Sequence, residues 1–130
     1  MDDCVDCEAR VKEFIRDSLG CGCDEEVFRH IMVERGVRVG GATLVRKINV
    51  GNRLLVYVLE AGADTIKQLP LLVKAGRGER DARGFNRFRL VLLSNDKNLK
   101  RAAFDAFNAI EPLDEKVHLH VLRKDEAKGI

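Results

Sequence analysis

Six consecutive residues, Leu54-Leu55-Val56-Tyr57-Val58-Leu59, carry apolar or aromatic side chains without interruption. Successive side chains of an extended strand point to opposite faces, so this run has two faces to bury and belongs in the middle of a covered sheet. The fold must therefore place a layer on each side of one central strand. A chain of 130 residues with 45% hydrophobic content can supply those layers within a single domain, without covalent staples. Trp is absent and aromatics make up only 5%, which leaves Val, Leu, Ile, Ala and six Phe to build the interior.

The neighbours of that strand follow from local patterning. Residues 42–50 read as a preceding strand, and Gly51-Asn52 suits the tight turn of a β-hairpin. Downstream, the pattern predicts a helix over 64–74, a strand over 88–93, a helix over 96–110 and a last strand over 117–122. Pro70 requires the first of these helices to kink or restart. The spacing of Val11, Phe14, Ile15 and Leu19 predicts an amphipathic helix over 5–19, ended by Gly20. Asp24 is placed to cap a second helix, with Glu25 and Glu26 in its first turn, Val27, Phe28, Ile31 and Met32 on its buried side, and Gly36 at its end.

The expected fold class is thus α/β. A small mixed, mainly parallel sheet with a β-hairpin is flanked by helices and preceded by an N-terminal Cys-containing helical hairpin. We expect one domain over 1–130, comprising a Cys-containing helical segment (1–36) and an α/β body (42–122). The glycine-containing stretch 36–41 is the one plausible internal boundary.

All four cysteines lie in the first 23 residues, as Cys4-x2-Cys7 and Cys21-x-Cys23, the second pair framed as Gly20-Cys21-Gly22-Cys23. Zinc takes four tetrahedral thiolates, and glycine lets the backbone turn tightly and aim N–H groups at sulfur, so Cys4, Cys7, Cys21 and Cys23 are the candidate metal ligands. A helix over 5–19 would be about 22 Å long at 1.5 Å per residue, so the terminus must fold back for the pairs to meet. The alternatives are a late helix start or separate sites, for instance across a homodimer. An iron–sulfur cluster is the alternative cofactor, although the usual ferredoxin spacings differ. A dithiol redox role is a further alternative, because Cys21 and Cys23 precede a predicted helix N-terminus. Isolated cysteines often only fill space, but two close pairs are a poor fit to that reading.

His30, in the predicted second helix, could replace one cysteine. His118 and His120 share one face of the last strand and could ligate a metal, though no third ligand is near in sequence and a pair on an exposed edge strand explains them equally well. Ser94, Asn95 and Asp96 follow a predicted strand, where open α/β sheets bind ligands, but Ser94 or Asn95 is also a natural helix cap.

Charge is unevenly spread. The first 30 residues hold nine acids against four Lys and Arg, whereas 74–89 holds six bases against two acids, for a whole-chain net of +2. In that basic stretch, read as a loop, Arg77, Arg80, Arg83 and Arg87 with Phe85 and Phe88 could contact an anion or single-stranded nucleic acid. Glu79 and Asp81 interrupt it, and a solvated loop is the plainer reading.

No Gly-x-Gly-x-x-Gly, Gly-x4-Gly-Lys or Gly-x-Ser-x-Gly motif occurs, and no acid–base–nucleophile set argues for an enzyme. The acidic start and the lack of a long apolar run predict no membrane partner and a cytoplasmic protein. The function that fits is a non-catalytic, zinc-binding or regulatory role, with a protein partner for the α/β body.

Overall fold

The computed structural model describes residues 10–18, 31–39, 41–110 and 115–127. A five-stranded mixed sheet runs through the molecule in the order β1 (Ile31–Val39), β2 (Ala42–Val50), β3 (Leu54–Glu60), β4 (Arg87–Leu93), β5 (Val117–Leu122). β1–β2 and β2–β3 pair antiparallel, while β3–β4 and β4–β5 pair parallel. Antiparallel and parallel pairings are therefore balanced, where a mainly parallel sheet was expected.

The fully apolar strand is the central one, as its two-faced pattern requires. Leu55, Tyr57 and Leu59 pack with the helices, and Leu54, Val56 and Val58 pack on the opposite side. The turn before it is the expected hairpin. Gly51 and Asn52 both have φ 59°, Arg53 N donates to Val50 O at 3.0 Å, and the Asn49 and Asn52 side chains brace it with two bonds of 2.8 Å. Positive φ at both central residues matches the right-handed twist of the strands.

Two crossover helices, α1 (Ala63–Arg83) and α2 (Lys97–Asn108), join β3 to β4 and β4 to β5. Both crossovers step the same way along the sheet, so right-handed connections place both helices on one face. There Leu69, Leu72, Val73 and Ala103 join Phe88, Leu90, Leu92, Leu119 and Val121 in the larger core. The opposite face is covered by Val11, Phe14 and Ile15 and by Ala127 of a 3-10 turn (Lys124–Ala127). Val11, Phe14 and Ile15 belong to an N-terminal helical segment, α-helical over 10–13 and π-helical over Phe14–Ser18. They are three of the four residues of the predicted apolar stripe; Leu19, Gly20 and the expected start of a second helix at Asp24–Phe28 lie outside the described residues.

Three expectations are corrected. Residues 31–36, expected as the end of a second helix, form most of β1, and Met32 is 61% exposed rather than buried. Pairing with β2 over eight positions outweighs a helical spacing that had no opposing surface. Gly36, expected as a helix end and boundary, lies inside this strand at φ +63°. Before it Ile31 and Val33 pack on the smaller core, and after it Val37 and Val39 pack on the larger one. A regular strand keeps alternate residues on one face, so the β1–β2 ribbon rolls over at Gly36, where a side chain would be strained.

The third correction concerns the basic stretch. Residues 75–83 continue α1 to a left-handed cap at Gly84 instead of forming a loop. Pro70 lies inside the helix on its exposed side, where it removes one backbone donor but buries nothing. We expect Pro70→Ala to stabilise the protein by about 1 kcal/mol, the gain of a helix bond partly offset by a freer unfolded chain. Urea unfolding measures this, and an unchanged or lower midpoint would show that the rigidity of Pro70 contributes more than the missing helix bond costs.

Candidate functional site

Cys4, Cys7, Cys21, Cys23 and His30 lie outside the described residues. Among the described residues, no group of three His, Cys, Asp or Glu side chains is arranged to hold a metal ion. The histidine pair must be read on its own geometry.

β5 is an edge strand, as expected. Val117, Leu119 and Val121 face the helices, so alternation turns His118 and His120 to the opposite face, where both are half-buried rather than exposed. The parallel register sets Arg89 of β4 beside His118 and Val91 beside His120. Arg89 is buried, and its guanidinium lies 2.9 Å from His120 Nε2. Arginine can only donate, so His120 Nε2 accepts and its proton sits on Nδ1. That lone pair is occupied and unavailable to a metal as the side chains stand.

Burial, then the charge of Arg89, then His118, pushes the His120 pKa down to about 4. His118 is also lowered, by burial first and then by Arg89 and Arg87. Its Nε2 is buried with no hydrogen-bond partner. Burial and the neighbouring Arg87 charge lower Arg89 as well. The site is thus a compact cluster of one buried guanidinium and two neutral imidazoles. Chemically it holds guanidinium donors and one unpartnered imidazole nitrogen, and among the described residues no group of three metal-ligating side chains completes a cation site.

No protein-family model, curated protein or solved structure matches this chain.

The four arginines proposed as an anion patch are dispersed. Arg80 is buried on α1 and paired with Asp81 at 3.0 Å. Arg83 pairs with Glu79 at 3.0 Å and lies 5.4 Å from the Phe85 ring centroid. Arg77 is half-buried on the same helix. Arg87 opens β4 and alternates with the helix-facing Phe88, which puts it on the other side of the sheet beside the histidine cluster. Phe88 is fully buried and unavailable for stacking on a base.

Glu79 is the hub of a second polar cluster, between α1 and the hairpin. It accepts from Tyr57 Oη at 2.5 Å, from Arg83 and from Lys47, whose ammonium also lies 3.8 Å from Glu34. Burial by itself would raise the Glu79 carboxyl, but bonds from Lys47, Tyr57 and Arg83 outweigh it and hold the pKa below the ordinary value. Burial, reinforced by the Glu79 bond and charge, raises Tyr57. Each member is satisfied by another, which marks a structural tie of the hairpin to α1.

The strand-end residues are likewise spent on structure. Asp96, rather than Ser94 or Asn95, caps α2 by accepting from Asn98 N at 2.9 Å. Ser94 Oγ accepts from Asp96 N, and Asn95 Oδ1 accepts from Lys124 N.

Sequence reasoning missed Arg89. Its signal was a single charge inside the apolar run Phe88–Leu93, which means either a strand edge or a buried partner.

Proposed function

We propose that this chain is a non-catalytic metal-binding protein in which Cys4, Cys7, Cys21 and Cys23 hold one zinc ion and the α/β body serves a protein partner. The spacing of the two cysteine pairs carries this reading: four thiolates and no histidine or carboxylate needed to complete a tetrahedral shell. The helical segment between the pairs supports it. Val11, Phe14 and Ile15 anchor that segment against the sheet, and its nine residues, 10–18, span about 13 Å at α-helical rise. Three peptide units separate Cys7 from Arg10 and Cys21 from Ser18, and each such flank can reach about 10 Å. Together the flanks exceed the span between the segment's ends, so both pairs can meet beside it. The metal would then brace the layer that covers the second face of the sheet.

Purified protein is expected to contain about one zinc per chain, and the double variant Cys21→Ser/Cys23→Ser is expected to lose it while keeping the sheet folded, since the described residues of the two cores come from the sheet, its helices and adjoining turns, and the 10–15 segment. Iron with sulfide and a visible charge-transfer band would establish a cluster instead. Four freely titrating thiols in metal-free native protein would overturn metal binding and leave the dithiol role.

A further inference from the structure

We propose that the outer edge of β5 pairs antiparallel with β5 of a second copy of this chain, joining two five-stranded sheets into one. β5 ends the sheet, so among the described residues it has a neighbouring strand on one side only. The ladder with β4 fixes which backbone groups face outward. Lys116 O accepts from Phe88 N at 3.0 Å and Leu122 O accepts from Ser94 N at 2.9 Å, with Phe88 level with Val117. In a parallel pair with this register, residues 116, 118, 120 and 122 direct their backbone groups at β4. The N–H and C=O of Val117, Leu119 and Val121 therefore point away from it.

The two edges of the sheet differ in how they are guarded. β1 carries Glu34, Arg35 and Arg38 and rolls over at Gly36, devices that discourage pairing with another chain. β5 contains no proline, glycine, lysine, arginine or carboxylate, and burial keeps both of its histidines neutral. A second copy fits because β5 is complementary to itself. Two-fold antiparallel pairing with Leu119 on the axis sets Val117 opposite Val121, so three residue pairs each exchange two bonds, and the helix-facing side chains stay on one face. The same register sets His118 opposite the mate's His120, in the type of pair that brings side chains closest. His118 Nε2 is buried without a hydrogen-bond partner, and His120 carries its proton on Nδ1, so the facing strand supplies a donor. The ends match in charge as well. The exposed Glu115, two residues before β5, comes to the end where the mate's exposed Arg123 follows β5. So short an interface makes a weak dimer, which dissociates on dilution. This inference does not depend on the cysteines.

Sedimentation equilibrium of the full chain over about a hundredfold range of concentration is expected to show monomer and dimer in exchange. Hydrogen exchange on the same samples reads the edge itself. Dilution should speed exchange at Val117, Leu119 and Val121 about tenfold or more, and leave His118, His120 and Leu122, whose amides bond to β4, unchanged. Arg123→Glu, at an exposed position, is expected to weaken the dimer about tenfold through two symmetry-related repulsions with Glu115. Arg123 also lies 3.3 Å from Asp125 of its own chain, so recovery of the dimer in Glu115→Arg/Arg123→Glu is part of the expected result. Arg38→Glu, on the guarded edge, should dimerise as the parent does. A monomer at every concentration, a dimer whose three edge amides ignore dilution, or a dimer indifferent to Arg123→Glu or not restored by the charge swap would overturn the pairing.

Discussion

Gly76→Ala is expected to lower the stability of the protein by about 2 kcal/mol, although it places the best helix former in a helix interior. Gly76 is buried on α1, and a Cβ there would lie 2.1 Å from Phe88 Cζ and 2.2 Å from Cε2, well inside contact distance. The ring has nowhere to go. Phe88 is fully buried and meets Tyr57 edge-on, with centroids 4.8 Å apart and planes at 76°, and Tyr57 is fastened through its hydroxyl to Glu79. Relief must come from lifting α1 off the sheet. Overpacking of this kind costs about 1 to 3 kcal/mol and more where the neighbours are fixed, which exceeds the roughly 1 kcal/mol that Ala gains over Gly. Gly78, two residues on, is exposed, with nothing within 4 Å of an added Cβ. Gly78→Ala should therefore stabilise by about 0.5 to 1 kcal/mol. Chemical denaturation of both variants decides the matter: a neutral or stabilising Gly76→Ala would contradict the close approach of α1 to Phe88.

Acidification from pH 6.5 to 4 is expected to remove about 1 to 2 kcal/mol of stability through His120, less than full linkage would give because the ring is partly exposed and its charge is screened by solvent. The direction follows from its depressed pKa. With the folded value at about 4 and an unfolded value near 6.5, the unfolded chain takes up a proton that the folded protein refuses. The stability that a neutral, buried His120 contributes is therefore complete above the unfolded pKa. It declines by at most about 1.4 kcal/mol per pH unit on the way down, and the decline ends near pH 4. His118, lowered by the same causes, adds to the effect in the same sense. His120→Gln keeps an acceptor for Arg89 but cannot titrate, so its stability should change much less over this interval. Parallel pH–stability curves for the two proteins would show that His120 is not held neutral by burial and Arg89.

The parts of the fold that were legible are those governed by local patterning. The two-faced run 54–59 announced a central strand, Gly51-Asn52 announced the hairpin, and Val11, Phe14 and Ile15 announced a buried helical stripe. The misread parts depended on partners distant in sequence. Ile31 and Met32 fit a helical spacing, yet Ile31 and Val33 find Val50 and Ile48 across a hairpin that rolls over at Gly36. Glycine and charge made 75–83 resemble a loop, but Gly76 is the feature that lets the helix lie on Phe88.

Sequence by itself determined the order of strands and helices after residue 42, because alternation and helical periodicity are properties of neighbouring residues. It also shows the two close cysteine pairs on which the proposed metal site rests. Only the tertiary structure decided that Arg89, His118 and His120 share one face and that Arg87 stands with them rather than with Arg77, Arg80 and Arg83. Arg89 and His120 are 31 residues apart, and the crossover through α2 must set the strand register before that guanidinium and that imidazole can meet.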